Sequence, residues 1–309
     1  MTEIEARTTP FIEAPEPDSD PTRPRPKDWV QYSDQVRAEW FNLLSTDPEE
    51  SAVQAFMELH PAIIPGGSGD IGPGGHHGSQ MSAVFRQPPL TGAGGTYIPD
   101  FMWVTKSSGL ITPILIEIEK PSKRWFKKDG RPTSKFTDAL DQLDEWRAWF
   151  NKDSNPALFR QKYMFEDYHL NRPLKPQFVL IYGRDAEFTW AGGHLDPDGL
   201  RHKRDSKRQP DQTFRSFDSL APRYDHANSV TVTMTASGPV PFAFSPMYQT
   251  NSMTGIDARI LGDPTEAFAR SAMMSPERRA YLADRWNYWK DVEAKQDPNK
   301  TYLRSSGLE

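Results

Sequence analysis

The spacing of apolar positions changes several times along the chain, and each change marks an element. Met1 to Pro26 has no apolar period. Beyond it, Ser33 is placed to cap a helix running to about Leu44. Thr46-Asp47-Pro48-Glu49-Glu50 has the chemistry of a helix start, with Asp47 as N-cap, Pro48 at N1 and Glu50 at N3. Val53, Phe56, Met57 and His60 then recur at helical spacing until Pro61. From Gly66 to Gly95 glycines dominate and apolar residues thin out, which predicts a long exposed loop, His76 and His77 included. Thr96 to Val104 and Ile114 to Glu119 read as two strands, joined across Lys106 to Pro113 into a hairpin.

Downstream, Phe136, Ala139, Leu143, Trp146 and Phe150 form one stripe of a helix from about Ser134 to Phe150. Gln177 to Tyr182 is a short apolar strand, with Asp185 to Trp190 as its expected partner. A short helix is expected near Phe217 to Tyr224, a β-branched strand over Ser229 to Thr235, and a helix from Ser275 to about Val292. The pattern predicts three parts: a disordered Pro-rich tail (1–28), a domain over 29–250 containing the Gly-rich loop 66–95, and a helical extension over 251–309.

Composition narrows the chemistry. With 309 residues, 36% of them hydrophobic, nine Trp and seventeen Phe, the chain can build a large core. It has no Cys, which removes thiol nucleophiles, disulfides and thiolate zinc sites. No signal peptide and no membrane-length apolar run are visible, so a cytoplasmic protein is expected. The formal charge of -5 leaves polyanion binding to local patches. Two such patches are Lys123, Arg124, Lys127, Lys128, Arg131 and Lys135, and the Arg201 to Arg208 segment.

The strand Ile114 to Glu119 alternates, with Ile114, Ile116 and Ile118 on one face and Leu115, Glu117 and Glu119 on the other. Two carboxylates on a strand that seeks burial are costly unless a cation neutralises them. The hairpin brings Asp100 opposite Glu117, and three converging carboxylates suit a hard ion such as Mg²⁺. The same alternation also describes a plain solvent-facing strand. Gln142 and Trp146, four apart, share one face of the following helix.

Pro99-Asp100, Glu117-Ile118-Glu119-Lys120-Pro121 and Gln142-Leu143-Asp144-Glu145-Trp146 resemble the PD-(D/E)xK nuclease pattern with its QxxxY helix. More narrowly, Ile116 to Pro121, Phe126 to Gly130, Ala139 to Gln142, the helix ending Phe56 to Pro61 and the strand Phe178 to Arg184 resemble the Shedu (SduA) antiphage defence family. The resemblance covers roughly Glu49 to Thr235. It implies an α/β fold with a PD-(D/E)xK restriction-endonuclease-like core, a mixed central sheet flanked by helices. It also implies Mg²⁺- or Mn²⁺-dependent cleavage of phage DNA, and a homo-oligomer, dimer or tetramer. By position, Asp100, Glu117, Glu119 and Glu50 are the implied metal ligands. Gln142 orients the strand or a phosphate, and Lys123, Arg124, Lys127, Lys128 and Arg131 meet the DNA backbone. Glu50 is equally explained by a capping box with Asp47.

One position departs from the pattern. The usual lysine two residues after Glu117 is Glu119, as in a minority of the superfamily. There it ligates metal or acts as base, unless Lys120 swings back to take the cationic role. The departure motivates a second reading, a nuclease-fold module that binds DNA ends or a protein without cutting. A glycosidase reading of Glu117 and Glu119, about 7 Å apart along one strand face, lacks an aromatic sugar platform.

Overall fold

The computed structural model describes residues 23–73, 78–165, 171–251 and 253–295. His76, His77 and most of the expected N-terminal tail lie outside these residues. Two helices open the fold, α1 (Trp29–Ser45) and α2 (Glu50–Leu59). Strands β1 (Ser79–Arg86), β2 (Leu90–Gly92), β3 (Gly95–Tyr97), β4 (Phe101–Lys106) and β5 (Ile111–Ile118) follow. Then come α3 (Ser134–Phe150), α4 (Asn155–Tyr163), β6 (Gln177–Ile181), α5 (Pro197–Asp205), β7 (Gln212–Arg215), β8 (Val230–Thr235) and β9 (Gly238–Phe244). Helices α6 (Thr254–Leu261), α7 (Thr265–Arg270) and α8 (Pro276–Ala294) complete it.

Seven strands form one mixed sheet in the order β7-β6-β5-β4-β1-β8-β9, while β2 and β3 pair separately. β5, β6 and β7 run parallel, β4 is antiparallel to β5 and β1, and β1 is parallel to β8. Alternation along β5 divides the core. Ile114, Ile116 and Ile118 join Trp40, Val53, Met57, Phe101 and Trp103 under α1 and α2. Leu115, Met102 and Val104 join Phe136, Leu143 and Trp146 beneath α3. Residues 23–28 are docked rather than loose: the Lys27 N–H donates to the Pro246 carbonyl at 3.3 Å and Arg278 donates to the Pro24 carbonyl at 2.7 Å.

Several expectations need correction. The segment 66–95 is not one loop, because it contains β1, an inner strand between β4 and β8. The expected strand over Thr96 to Val104 is split into β3 and β4 around Pro99-Asp100. α1 starts four residues before Ser33, capped by Asp28, whose carboxylate accepts from the Gln31 N–H at 3.0 Å. α2 begins at Glu50 with Glu49 as its N-cap, so no Asp47 capping box forms. Asp47 instead takes a positive φ of 51°. Asp185 to Phe188 is a 3-10 turn rather than a strand, and the expected helix near Phe217 to Tyr224 is two 3-10 turns.

Candidate metal and nuclease centre

The ladder between β4 and β5 pairs Phe101 with Ile116, which puts Asp100 one step further, opposite Glu117. Pro99 has no N–H to donate, and regular pairing stops here. The Asp100 carboxylate replaces a backbone acceptor, taking the Ile118 N–H at 2.8 Å. On its other side, the Asp100 carbonyl accepts the Gln87 N–H at 2.8 Å, which fastens the site to the end of β1. Gln87 holds a φ of 43°, an uncommon backbone state for a residue with a Cβ.

Glu117 is 9% exposed, and its carboxyl group is hydrogen-bonded to both Asp100 and Gln142. Burial pushes Asp100 up to about 7, and the nearby Glu50 charge adds to the rise. Burial raises Glu117 well above the ordinary carboxylate range, with further contributions from Asp100 and Glu50. Gln142 opposes this by donating to the charged form. Two adjacent buried carboxyls cannot both ionise cheaply, so the pair shares a proton at neutral pH.

The other expected site residues are arranged less simply. Glu50, at the first turn of α2, is free of the capping box and close enough for its charge to act on both carboxyls. Glu119 forms an ion pair with Lys123 on the next turn of chain, and its side chain is 12% exposed. Lys120 points to the entry of α2, with Nζ 2.7 Å from Glu49 and 3.7 Å from Asp47. That contact raises its pKa, the Glu49 hydrogen bond being the main cause. Among the described residues, no group of three or more His, Asp and Glu side chains is close enough to hold a metal ion. The expected ligand set therefore reduces to the Asp100–Glu117 pair, with Glu50 nearby and Glu119 engaged by Lys123.

The basic segment is not uniformly free. Arg124 donates to the Gly192 carbonyl at 2.5 Å and contacts His194 Nε2 at 2.8 Å. Arg131 is paired with Asp129 at 2.8 Å. Lys127 and Lys128 are exposed. The sequence reading overlooked Glu58 and Arg86, a largely buried ion pair at 2.8 Å beside the site, whose Glu58 charge reaches Asp100. Arg86 escaped notice because it ends β1, inside the segment read as loop. Glu58 sits four residues after Gln54, which donates to it at 3.3 Å, and that spacing was the available signal.

A family model described as the C-terminal region of the Shedu protein SduA matches residues 47–221, more than half of the chain. The chain belongs to the Shedu family. No curated protein and no solved structure matches it. The Shedu match opens at the approach to α2 and closes after β7, so it takes in Glu50, Asp100, Glu117, Glu119, Lys120 and Gln142. β8, β9 and the three C-terminal helices lie beyond it, although β8 pairs directly with β1 inside the matched region.

Proposed function

We propose that this Shedu chain is a metal-dependent nuclease of the PD-(D/E)xK type that hydrolyses DNA phosphodiester bonds in antiphage defence. The observation that carries the reading is the buried Asp100–Glu117 pair, braced by Gln142 and the Ile118 N–H. Carboxylates forced this close in a poorly solvated site favour a proton or a cation, and Mg²⁺ or Mn²⁺ suits their oxygen donors. Shedu membership supports the defensive role.

Asp100 and Glu117 are the residues assigned to hold the metal, with Glu50 close enough to add its charge. A divalent ion bound there would supply an acidified water and charge neutralisation at the phosphate. The chain's own groups do the rest. Gln142 and the Ile118 N–H fix the two carboxyls in one orientation. The Lys123 ammonium engages Glu119, so a basic group and a carboxylate stand together at the end of β5 as an ion pair that an incoming phosphate would have to open. Lys120, anchored on Glu49 at 2.7 Å, places a second cation at the mouth of α2.

Purified protein supplied with Mg²⁺ or Mn²⁺ is expected to cleave linear duplex DNA. Glu117→Gln is expected to lower the rate at least about 100-fold, on the scale of losing one charge-stabilising group. Equal activity of the two proteins rejects the assignment.

A second reading rests on the Glu119–Lys123 pair and on the lack of a third converging ligand among the described residues. On it, the chain keeps the nuclease architecture and binds DNA ends or a protein without cutting. Calorimetric titration separates the two, because only the nuclease reading requires Mn²⁺ uptake that Glu117→Gln abolishes.

A further inference from the structure

Trp190 is 78% exposed and Leu195, five residues on, is 94% exposed. Elsewhere in the described chain, large aromatic rings are mostly buried. A Trp standing in solvent is an unfavourable arrangement for the isolated protein and fits a side chain awaiting a flat partner.

The loop that carries it is firmly held. Glu187, in the 3-10 turn just before Trp190, is buried, and its two oxygens accept the Trp125 and Phe126 N–H groups at 2.9 Å each. From the other side Arg124 grips the Gly192 carbonyl at 2.5 Å. Gly192 lies so close to the Glu187 carbonyl that any Cβ would collide with it, and Gly193 follows with φ 76°. This tight turn therefore presents Trp190 in a fixed place. α5 closes the assembly, with Lys203 donating to the Gly130 carbonyl at 2.7 Å and Arg204 lying 4.9 Å over the Phe188 ring.

The loop itself carries the exposed acids Asp185, Asp196 and Asp198, and the cations stand on the segment that Glu187 clamps. Lys127 and Lys128 are exposed, and neither has an ion-pair partner among the described residues. The same loop leads directly to the candidate centre, since Arg124 follows Lys123, the partner of Glu119. Cations that track a backbone beside an aromatic face that accepts any base are the recurring means of holding a single strand.

We propose that Trp190 is a stacking platform for an unpaired DNA base, held beside the candidate centre by backbone contacts to Lys127 and Lys128. The proposal rests on the DNA-directed reading above. It adds a residue and a strand state to that reading: the site would accept locally melted or single-stranded DNA.

The test is fluorescence anisotropy with a labelled oligo-dT strand and a blunt duplex, in EDTA, using the wild-type chain, Trp190→Ala and Trp190→Phe. Loss of one stacked base is expected to weaken oligo-dT binding about tenfold in Trp190→Ala. Binding of the blunt duplex should stay within about twofold, and Trp190→Phe should recover most of the loss, as any aromatic face stacks. Equal oligo-dT affinity of the wild-type chain and Trp190→Ala overturns the proposal, as does an equal loss on the blunt duplex. A change of mass in sedimentation with unchanged oligo-dT affinity also overturns it, assigning Trp190 to a contact between copies. A wild-type chain that needs Trp190 for oligo-dT but does not cut with Mg²⁺ keeps the platform and rejects cleavage. A chain that cuts, with Trp190→Ala binding normally, does the reverse.

Discussion

At the scale of single residues, Asp100 and Glu117 tie stability to pH in a direction opposite to ordinary carboxylates. Asp100 is raised to about 7 and Glu117 well above its usual range, chiefly by burial. In the unfolded chain both titrate near about 4. Between these values the folded state holds more protons than the unfolded one, so stability falls as pH rises through the window. Two buried histidines act at the other end. Burial lowers His60 and His226 to about 4, so the unfolded state takes up protons first as pH falls below about 6.5. Between about pH 4 and 6.5 the carboxyl and histidine terms offset each other, so thermal melts of the metal-free protein are expected to be level there and to fall above it, with a loss on the order of a few kcal/mol by pH 8. Glu117→Gln should flatten that alkaline fall. A wild-type melting temperature that rises steadily from pH 6 to 8 contradicts the buried pair.

At the scale of elements, Glu187 is a backbone clamp drawn from a distant segment. Replacing it by Ala leaves the Trp125 and Phe126 amides buried without an acceptor, a loss on the order of 3 kcal/mol. Glu187→Gln keeps an oxygen for one amide and should lose less, and urea unfolding of the three proteins checks the order. A Glu187→Ala midpoint equal to that of the wild-type chain would contradict the clamp. The same residue explains a misreading. Asp185 to Trp190 alternates polar and apolar positions like a strand, yet the inward position Glu187 is satisfied by amides outside any ladder.

The hairpin of β4 and β5 was legible because both strands are apolar, β-branched and bounded by turn residues, and its register follows from alternation. β1 was not legible, because a bulge breaks its period: Met81 and Ser82 hold φ of 55° and 50°, and pairing slips between Ser79 and Val84. The hairpin reading placed Asp100 opposite Glu117, and the family resemblance added Gln142. The engagement of Glu119 by Lys123 depends on how the chain turns after Pro121, which no periodicity records.

At the scale of the whole molecule, the Shedu match ends at residue 221 while the sheet continues through β8 and β9. β9 is an edge strand and carries Pro239 and Pro241, which withhold donors from any further pairing. Its inner face is covered by the C-terminal helices, where Phe244 meets Phe268 at 4.5 Å and Trp286 at 5.6 Å between ring centroids. Trp286 is 1% exposed and donates through Nε1 to the Gly262 carbonyl at 2.9 Å. Arg278, equally buried, binds the carbonyls of Tyr248 and Pro24, which ties α8 to both the sheet side and the N-terminal approach to α1. Removing residues 251–309 would expose Phe244 and Tyr248 and take away the Arg278 anchor of the N-terminal segment, leaving it the Lys27 contact with Pro246. That truncation is expected to lose the cooperative thermal transition of the full chain. Trp286→Ala alone should cost about 3–5 kcal/mol, the scale for emptying a buried Trp site. A truncated chain melting cooperatively at the full-length temperature would show instead that the matched region folds without its C-terminal cover.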